Sequence, residues 1–558
     1  MMDPRHRFAS CVLILLAIPS IALAQWQPNG TLVCVAPNEQ NTPRLVADGA
    51  GGVLVGFRDK RNGFDFNLYA QHLDQTGTYL WNTSGVLVSI QGGFPGMVSD
   101  DAGGSIMAFN GYAGAATDFD EFAQAVDGTG ARKWTPLDGV TVCASTSAQY
   151  APQMIEDGFG GAFMAWPDTR NGTYDIYAQR IDATGAPLWS PNGVAVCTAP
   201  YDQTVVQIAP DGSGGLILGW SDNRTNAFAD AYVQRINSSG VAVWATDGIM
   251  ICSTSHDNGI AAIASDGTGG AIVAWSSVRV SGHGTGLYAQ RLDGDGNPLW
   301  ASCGVTVSDP LHNQSFPVMA SDGAGGAVIA WQDQRDLGTT NTDIYAQRLD
   351  ASGASQWQSD GVALCTASDV QDQQAIAAVG TGGAVVVWRD RRSGNRDVYA
   401  QRIDPTGSTA WTASGSAVCT ATGDQNLPVV VISGSRAVAA WEDKRSGNHV
   451  YAMSIPESIT GVSATPFAGL SVRNYPNPLT RTTQLDFRLP LTSGVDIRVY
   501  DIGGHEVYRT NLGMLDAGPH SVVLEPKAAD GRALPSGVYF YDVRTAAGRA
   551  KGKMVIAR

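Results

Sequence analysis

Aspartate and arginine two residues apart are the most frequent chemical signal in the chain. The pair occurs as Asp59-Arg61, Asp168-Arg170, Asp222-Arg224, Asp333-Arg335, Asp390-Arg392 and Asp443-Arg445. A guanidinium fork can clamp a substrate carboxylate, and a neighbouring carboxyl can move a proton. Repetition argues against that use. A catalytic group acts once, in one place, whereas a brace recurs with the structure that it braces. The six pairs are therefore expected to hold loops, and no catalytic residue is assigned. Glutamate is also scarce where paired carboxylates would be needed to cleave a glycoside: within residues 25–455 it stands only at Glu39, Glu121, Glu156 and Glu442.

Metal ligation has two candidates. Asp293-Gly294-Asp295-Gly296-Asn297 has the spacing of a calcium loop, yet it occupies a turn position that recurs along the chain, so a plain turn is expected. His256, His283 and His312 come from loops of neighbouring units, and three converging imidazoles would suit a transition metal. The chain has no C-x-x-C, H-E-x-x-H, G-x-S-x-G or G-x-x-x-x-G-K motif, and no cofactor is expected.

The elements that would position these residues come from an internal repeat. The tyrosine of the YAQ phrase, or its relative, falls at Tyr69, Phe122, Tyr177, Tyr232, Tyr288, Tyr345, Tyr399 and Tyr451. A tryptophan follows each of the first seven, at Trp81, Trp134, Trp189, Trp244, Trp300, Trp357 and Trp411, and Trp26 precedes them all. A third column reads Phe57, Phe109, Trp166, Trp220, Trp275, Trp331, Trp388 and Trp441; the last two columns hold all 14 tryptophans. Tryptophan is thus committed to structure. Each unit reads as four strands: PQMIED, a DGFGG turn, AFMAWPD, a polar loop, IYAQRID, a DATG turn, and a strand running through PLW to GVAVC. Near-continuous apolar strands suit sheets covered on both faces.

Four short strands repeated around a ring make a β-propeller. The eighth YAQ relative runs into Ile455-Pro456 without a turn or a tryptophan, while the chain opens with an orphan fourth strand, Trp26 to Cys34. Closure by that N-terminal strand gives eight blades, with seven as the alternative. The longer loops share one open face, where a ligand site belongs; the most deviant are FNGYAGAATDFDEF, SSVRVSGHGTGLY and QDQRDLGTTNTDIY.

Seven cysteines remain beyond residue 24. Cys34, Cys143, Cys197, Cys252, Cys365 and Cys419 close equivalent strands, where Ser89 and Ser308 stand in two units. Equivalent positions lie one repeat apart, beyond disulfide reach, so free buried thiols are expected, with Cys303 outside the column.

Residues 1–24 read as a signal peptide, with Arg5 and Arg7 before the apolar CVLILLAIPSIAL and an Ala22-Leu23-Ala24 cleavage site. No later segment is apolar enough to span a bilayer. The formal net charge of -15 makes nucleic acid an unsuitable partner. The domain reading is signal peptide 1–24, propeller 25–455, linker 456–469, and a small Ig-like β-sandwich over 470–558.

Three resemblances follow. IDATGAPLW resembles the tryptophan-docking turn of quinoprotein-type propellers, with an Asp-to-Gly step one residue shorter; the resemblance implies a docking role for the tryptophan, and the quinone is not carried over. The D-x-R and DIY phrases resemble blades of secreted sialidases and their non-catalytic relatives. At the C-terminus, Tyr475-Pro476-Asn477-Pro478, Phe487-x-Leu489-Pro490, Val499-Tyr500-Asp501-x-x-Gly504, Ala517-Gly518-x-His520, Ser536-Gly537-Val538-Tyr539 and Lys553-Met554-Val555 resemble the C-terminal sorting domain of type IX (Por) secretion substrates. The Ig-like module of flagellar hook-capping proteins has a similar pattern. The sorting resemblance implies export through the periplasm to the outer surface or the medium, with the type IX machinery as partner and Tyr475, Pro476, Asn477, Pro478, Gly504, Gly518, Gly537, Tyr539 and Lys553 as its motif. The resulting expectation is an exported propeller that binds an extracellular glycan or protein, or serves as a scaffold. The alternative is an extracellular glycan-active hydrolase or lyase on the same scaffold.

Overall fold

The computed structural model of the chain describes residues 26–455 and 472–557, except 94, 113–118, 137, 151, 226–227, 253–258, 280–281, 283, 340, 476–478, 480, 490–492, 516–517, 526, 528–531 and 546–547. All regular structure in it is β, and no helix among the described residues is long and apolar enough to cross a membrane.

Eight four-stranded antiparallel sheets, here called blades, precede Ile455. Blade 3 is typical: Gln153–Glu156, Ala162–Asp168, Asp175–Ile181 and Val194–Cys197 pair in that order. The first strands of blades 1, 2, 4, 5, 6, 7 and 8 begin at Gln40, Gly96, Gln203, Ile260, Gln314, Gln371 and Gln425. Each first strand lies against the first strands of the blades beside it, and that of blade 1 against that of blade 8, so these strands form the inner ring of a β-propeller. The circle is completed by the N-terminus: Thr31 and Leu32 pair with Ala452 and Tyr451, supplying the fourth strand of blade 8.

The second and third strands are buried on both faces, as their apolar runs require. The glutamine of each YAQ phrase is buried with them, and its amide bonds on both sides. Gln179 Nε2 donates to Ser190 O (2.9 Å), while its Oε1 accepts from Arg180 N and Trp189 N (2.9 and 3.0 Å). One amide thus fastens the third strand to the segment leading into the fourth. That fourth strand is shorter than the sequence suggests. It is confined to Val194–Cys197, and Pro187 makes only a single bridge to Ile181, because Trp189 to Gly193 turns the chain.

Tryptophan docking joins neighbouring blades. Trp134 Nε1 donates to Ala183 O in the next blade's turn (3.3 Å), and Trp189 to Ser238 O (3.1 Å). Trp26 does the same to Gln75 O (3.1 Å), carrying the pattern across the ring closure. The indole lies directly on the turn glycine: a Cβ on Gly185 would sit 2.7 Å from Trp134, and Gly185 has φ +84°. Glycine is needed there for both reasons.

One cysteine expectation is corrected. Cys252 and Cys303 form a disulfide, with Cα atoms 4.7 Å apart. They do not occupy equivalent positions. Cys252 ends blade 4, whereas Cys303 sits in the Trp300–Gly304 turn of blade 5. Other blades place Asn192, Asp247 or Asp360 at that turn position, whose side chain accepts a hydrogen bond from a backbone N–H of the preceding blade (2.9–3.1 Å). The covalent bond therefore stands where a polar clasp stands elsewhere. Cys34, Cys143, Cys197, Cys365 and Cys419 are free and buried.

Beyond residue 471, Val472–Tyr475, Thr483–Leu489 and Gly518–Leu524 form one sheet; Glu506–Leu515, Ser493–Tyr500, Gly537–Thr545 and Gly548–Ile556 form another. Leu485, Phe487, Val495, Ile497, Val499, Tyr541 and Met554 share one core between them. The result is an Ig-like sandwich.

Candidate functional site

The D-x-R pairs are built into the blades. Asp168 is fully buried and Arg170 closes on it, Nε to Oδ1 at 2.9 Å and Nη2 to Oδ2 at 2.5 Å, with Trp166 Nε1 donating to Oδ2 (3.0 Å). Arg170 Nη2 also reaches Cys143 Sγ of blade 2 and Asn192 O, and its guanidinium stacks 3.7 Å over Tyr177. Asp222, Asp333, Asp390 and Asp443 repeat the arrangement with Trp220, Trp331, Trp388 and Trp441. Burial lowers the pKa of each of these arginines, and the bonded aspartate more than offsets it, leaving Arg170, Arg224, Arg335, Arg392 and Arg445 raised. The Nε and Nη2 donors of each fork are thus taken up within the blades.

The other candidates of the sequence divide. His312 is exposed, with φ +70°, and its carbonyl accepts from Gln314 Nε2. His256 and His283 lie outside the described residues. Among those described, no cluster of three or more His, Cys, Asp or Glu could hold a metal. Asp293 Oδ1 accepts from Asp295 N and Asn297 N, both 2.9 Å, and Gly294 O receives Trp244 Nε1, so this segment is an ordinary docking turn. In the C-terminal motif, Pro476, Asn477 and Pro478 also lie outside the described residues, and Tyr475 ends the first strand. Gly504 takes φ +83° in a tight turn, Gly518 and Gly537 begin strands, Tyr539 OH donates to Pro535 O (3.0 Å), and Lys553 pairs with Phe540 across the last two strands.

Two features of the open face depart from the repeat. The first is an aromatic row over blades 2 and 3, formed by side chains that no repeat column contains. Tyr112 stacks on Phe119 (centroids 4.9 Å), Phe119 meets Tyr150 edge-on (6.5 Å), and Tyr150 meets Tyr174 (5.6 Å). Tyr112 is 47% exposed, Phe119 and Tyr150 38% each. In blade 2, Gly111 stands where six blades have the D-x-R aspartate, the side chain of Gln91 lies against it, and Tyr112 follows it. On blade 1, Phe66 is covered by Arg58 (4.2 Å) and Phe64 is 84% exposed.

The second feature is the mouth of the central channel. Five of the inner strands bulge at their third residue, where Thr42, Val205, Phe316, Gln373 and Leu427 take positive φ and the pairing register slips. A β-branched valine at φ +54° is a strained position, tolerated because the flanking ladder holds it. Val205, Ile260, Phe316, Pro317 and Gln373 line a cavity of about 680 Å³. After the Trp or Phe of the third column, the second strands place unlike residues: Arg58, Asn110, Pro167, Ser221, Ser276, Gln332, Arg389 and Glu442. Several bond across blades. Arg389 grips Asp372 (2.6 and 2.5 Å) and donates to Asn426 Oδ1 (2.8 Å). Glu442 Oε1 accepts from Thr42 N (2.8 Å); burial raises its pKa more than that bond lowers it. Under the aromatic row, Glu121 is fully buried, accepts from Asn110 Nδ2 (2.6 Å), and is held well above the usual carboxylate range by burial.

The deviant loop FNGYAGAATDFDEF already pointed to Tyr112 and Phe119, whereas Tyr150 and Tyr174, loop-border residues without periodicity, gave no signal of their own. The mouth had a usable signal: a column that varies between two columns that do not.

Residues 476–549 match the family described as the FlgD Ig-like domain. No curated protein matches the chain. Among solved structures, a polysaccharide lyase described as an ulvan lyase is 11% identical, over 77% of this chain and 97% of its own, with a TM-score of 0.41. An α-L-arabinanase of Penicillium chrysogenum is 13% identical over 60% of this chain and 97% of its own, at 0.30. PorZ of Porphyromonas gingivalis, a surface component of the type IX secretion system, is 11% identical over 96% and 82%, at 0.24. The class of protein rests on the sheet pairing described above: a β-propeller followed by an Ig-like domain.

Proposed function

We propose that the chain is an exported eight-bladed propeller that binds an extracellular glycan on its open face, carried outward by its C-terminal module. The observation behind this reading is the aromatic row Tyr112, Phe119, Tyr150 and Tyr174. Large rings left exposed in contact with one another are costly in water and mark a ligand surface. Their flat faces suit the apolar C–H faces of sugar rings, and the tyrosine hydroxyls suit the ring hydroxyls. The signal peptide and the ordered C-terminal motif support export by the type IX machinery to the cell surface or the medium.

A second reading has one observation in its favour. Glu442 sits at the channel mouth with a raised pKa, near Glu39 and Arg58, as the acid of a glycan-active hydrolase or lyase would. A single experiment separates the two. Affinity electrophoresis of the mature chain against a polysaccharide panel, with each mixture assayed for reducing ends and for unsaturated products, is expected to show retardation without product. Product that disappears in Glu442→Gln would establish the enzyme reading; no retardation on any polysaccharide would remove the glycan reading.

A further inference from the structure

Blade 5 departs from its neighbours at the D-x-R position. Ser277 replaces the aspartate, while Trp275 and Arg279 keep their places. In five other blades the corresponding tryptophan Nε1 and arginine Nε both donate to that aspartate's carboxylate, at 2.8–3.0 Å. Here three buried side-chain donors have no partner among the described residues: Trp275 Nε1, Ser277 Oγ and Arg279 Nε. Trp275 and Ser277 are at most 1% exposed. Arg279 Nη2 donates to Cys303 O (2.6 Å) and lies 3.6 Å from Cys252 Sγ, and its guanidinium stacks 3.6 Å over Tyr288. The nearby carboxylate of Asp309 is taken up on the far end of that ring, by Tyr288 OH (3.0 Å).

We propose that Trp275, Ser277 and Arg279 form a binding site for a small monovalent anion, which takes the part that the aspartate carboxylate plays in the other blades. The donor set is right for it: one guanidinium, one indole N–H and one hydroxyl, aimed where sister blades place negative oxygen. A water molecule would satisfy the indole and the hydroxyl but would leave the guanidinium with only the more distant Asp309 as counter-charge. Burial lowers the pKa of Arg279 by more than Tyr288 and Asp309 raise it, whereas its five counterparts, each bonded to an aspartate, are raised. The site lies beside the Cys252–Cys303 bond, so the anion and the disulfide together fasten blade 4 to blade 5.

The test is a melting comparison of the mature chain in sodium chloride, sodium bromide and sodium gluconate at equal ionic strength and pH. Halide should raise the melting temperature of the wild type by about 1–3 °C over gluconate. Ser277→Asp, which supplies a tethered carboxylate, should melt higher in gluconate and lose the halide response. A bromide-soaked crystal of the wild type should show an anomalous peak between Trp275 Nε1 and Arg279 Nε. An equal halide response in wild type and Ser277→Asp, or a bromide-soaked crystal without that peak, would overturn the proposal; the crystal decides the matter even where the variant fails to fold.

Discussion

At the scale of single residues, the D-x-R pair is a brace whose removal leaves a charge behind. Arg170→Ala would strand Asp168, fully buried beside Trp166. Stripping one partner from such a pair costs about 3–5 kcal/mol, so denaturant melts of Arg170→Ala and Arg335→Ala should both show losses on that scale. An effect below about 1 kcal/mol, the worth of an exposed pair, would contradict the geometry. The thiols give a second expectation. Burial pushes Cys143, Cys197, Cys365 and Cys419 up to about 12 and Cys34 to about 11, from 9.0. Their folded values lie above the unfolded one, so their stabilising contribution is complete below pH 9 and is lost as pH rises towards 12. The native chain should resist alkylation at pH 8, and the denatured, unreduced mature chain should expose five thiols; seven, without reduction, would deny the disulfide. The brace was legible because it repeats. The disulfide was not, because Cys303 belongs to a different column from the other six, and only the blade-to-blade stagger brings it against Cys252. The aromatic row was legible only in part: the loop with Tyr112 and Phe119 stood out, but Tyr150 and Tyr174 lie far from it in sequence and share no period with it.

At the scale of elements, the turn glycine and the preceding blade's tryptophan form one joint. Gly185→Ala places a Cβ 2.7 Å from Trp134 and forces alanine into φ +84°. The loss should be about 1–3 kcal/mol, read as a lower melting temperature with circular dichroism unchanged. An unaltered melt would mean that the indole does not rest on the turn. Gly172 is the control, since it has φ +94° but nothing within 4 Å of its Cβ; Gly172→Ala should carry the strain without the clash and cost less. Strand existence and order were readable from periodicity and turn residues. The short fourth strand was not, because PLW looks apolar enough to continue a strand, yet its tryptophan points into the neighbouring blade. The bulges were hidden as well: QTVV and QSFP carry no glycine at the residue of positive φ, and the strain is imposed by the ring of inner strands around the channel.

At the scale of the whole molecule, the chain has two units. The propeller closes on itself through Thr31 and Leu32, and the sandwich has its own core, so each can fold without the other. A chain ending near Thr460 should accumulate folded in the periplasm of a host with the type IX machinery, whereas the full chain passes outward; truncated protein recovered at the surface would remove the export role of the module. The open face carries the remaining claim, that binding belongs to the aromatic row of blades 2 and 3 and not to the channel mouth. The most direct measurement compares dissociation constants for the retained polysaccharide among the wild type, Tyr112→Ala with Tyr150→Ala, and Phe316→Ala at the mouth, each checked for an unchanged melt. A loss of affinity of at least about tenfold, some 1.4 kcal/mol, is expected in the double variant and none in Phe316→Ala. Unchanged affinity in the double variant, with loss in Phe316→Ala, would contradict that claim.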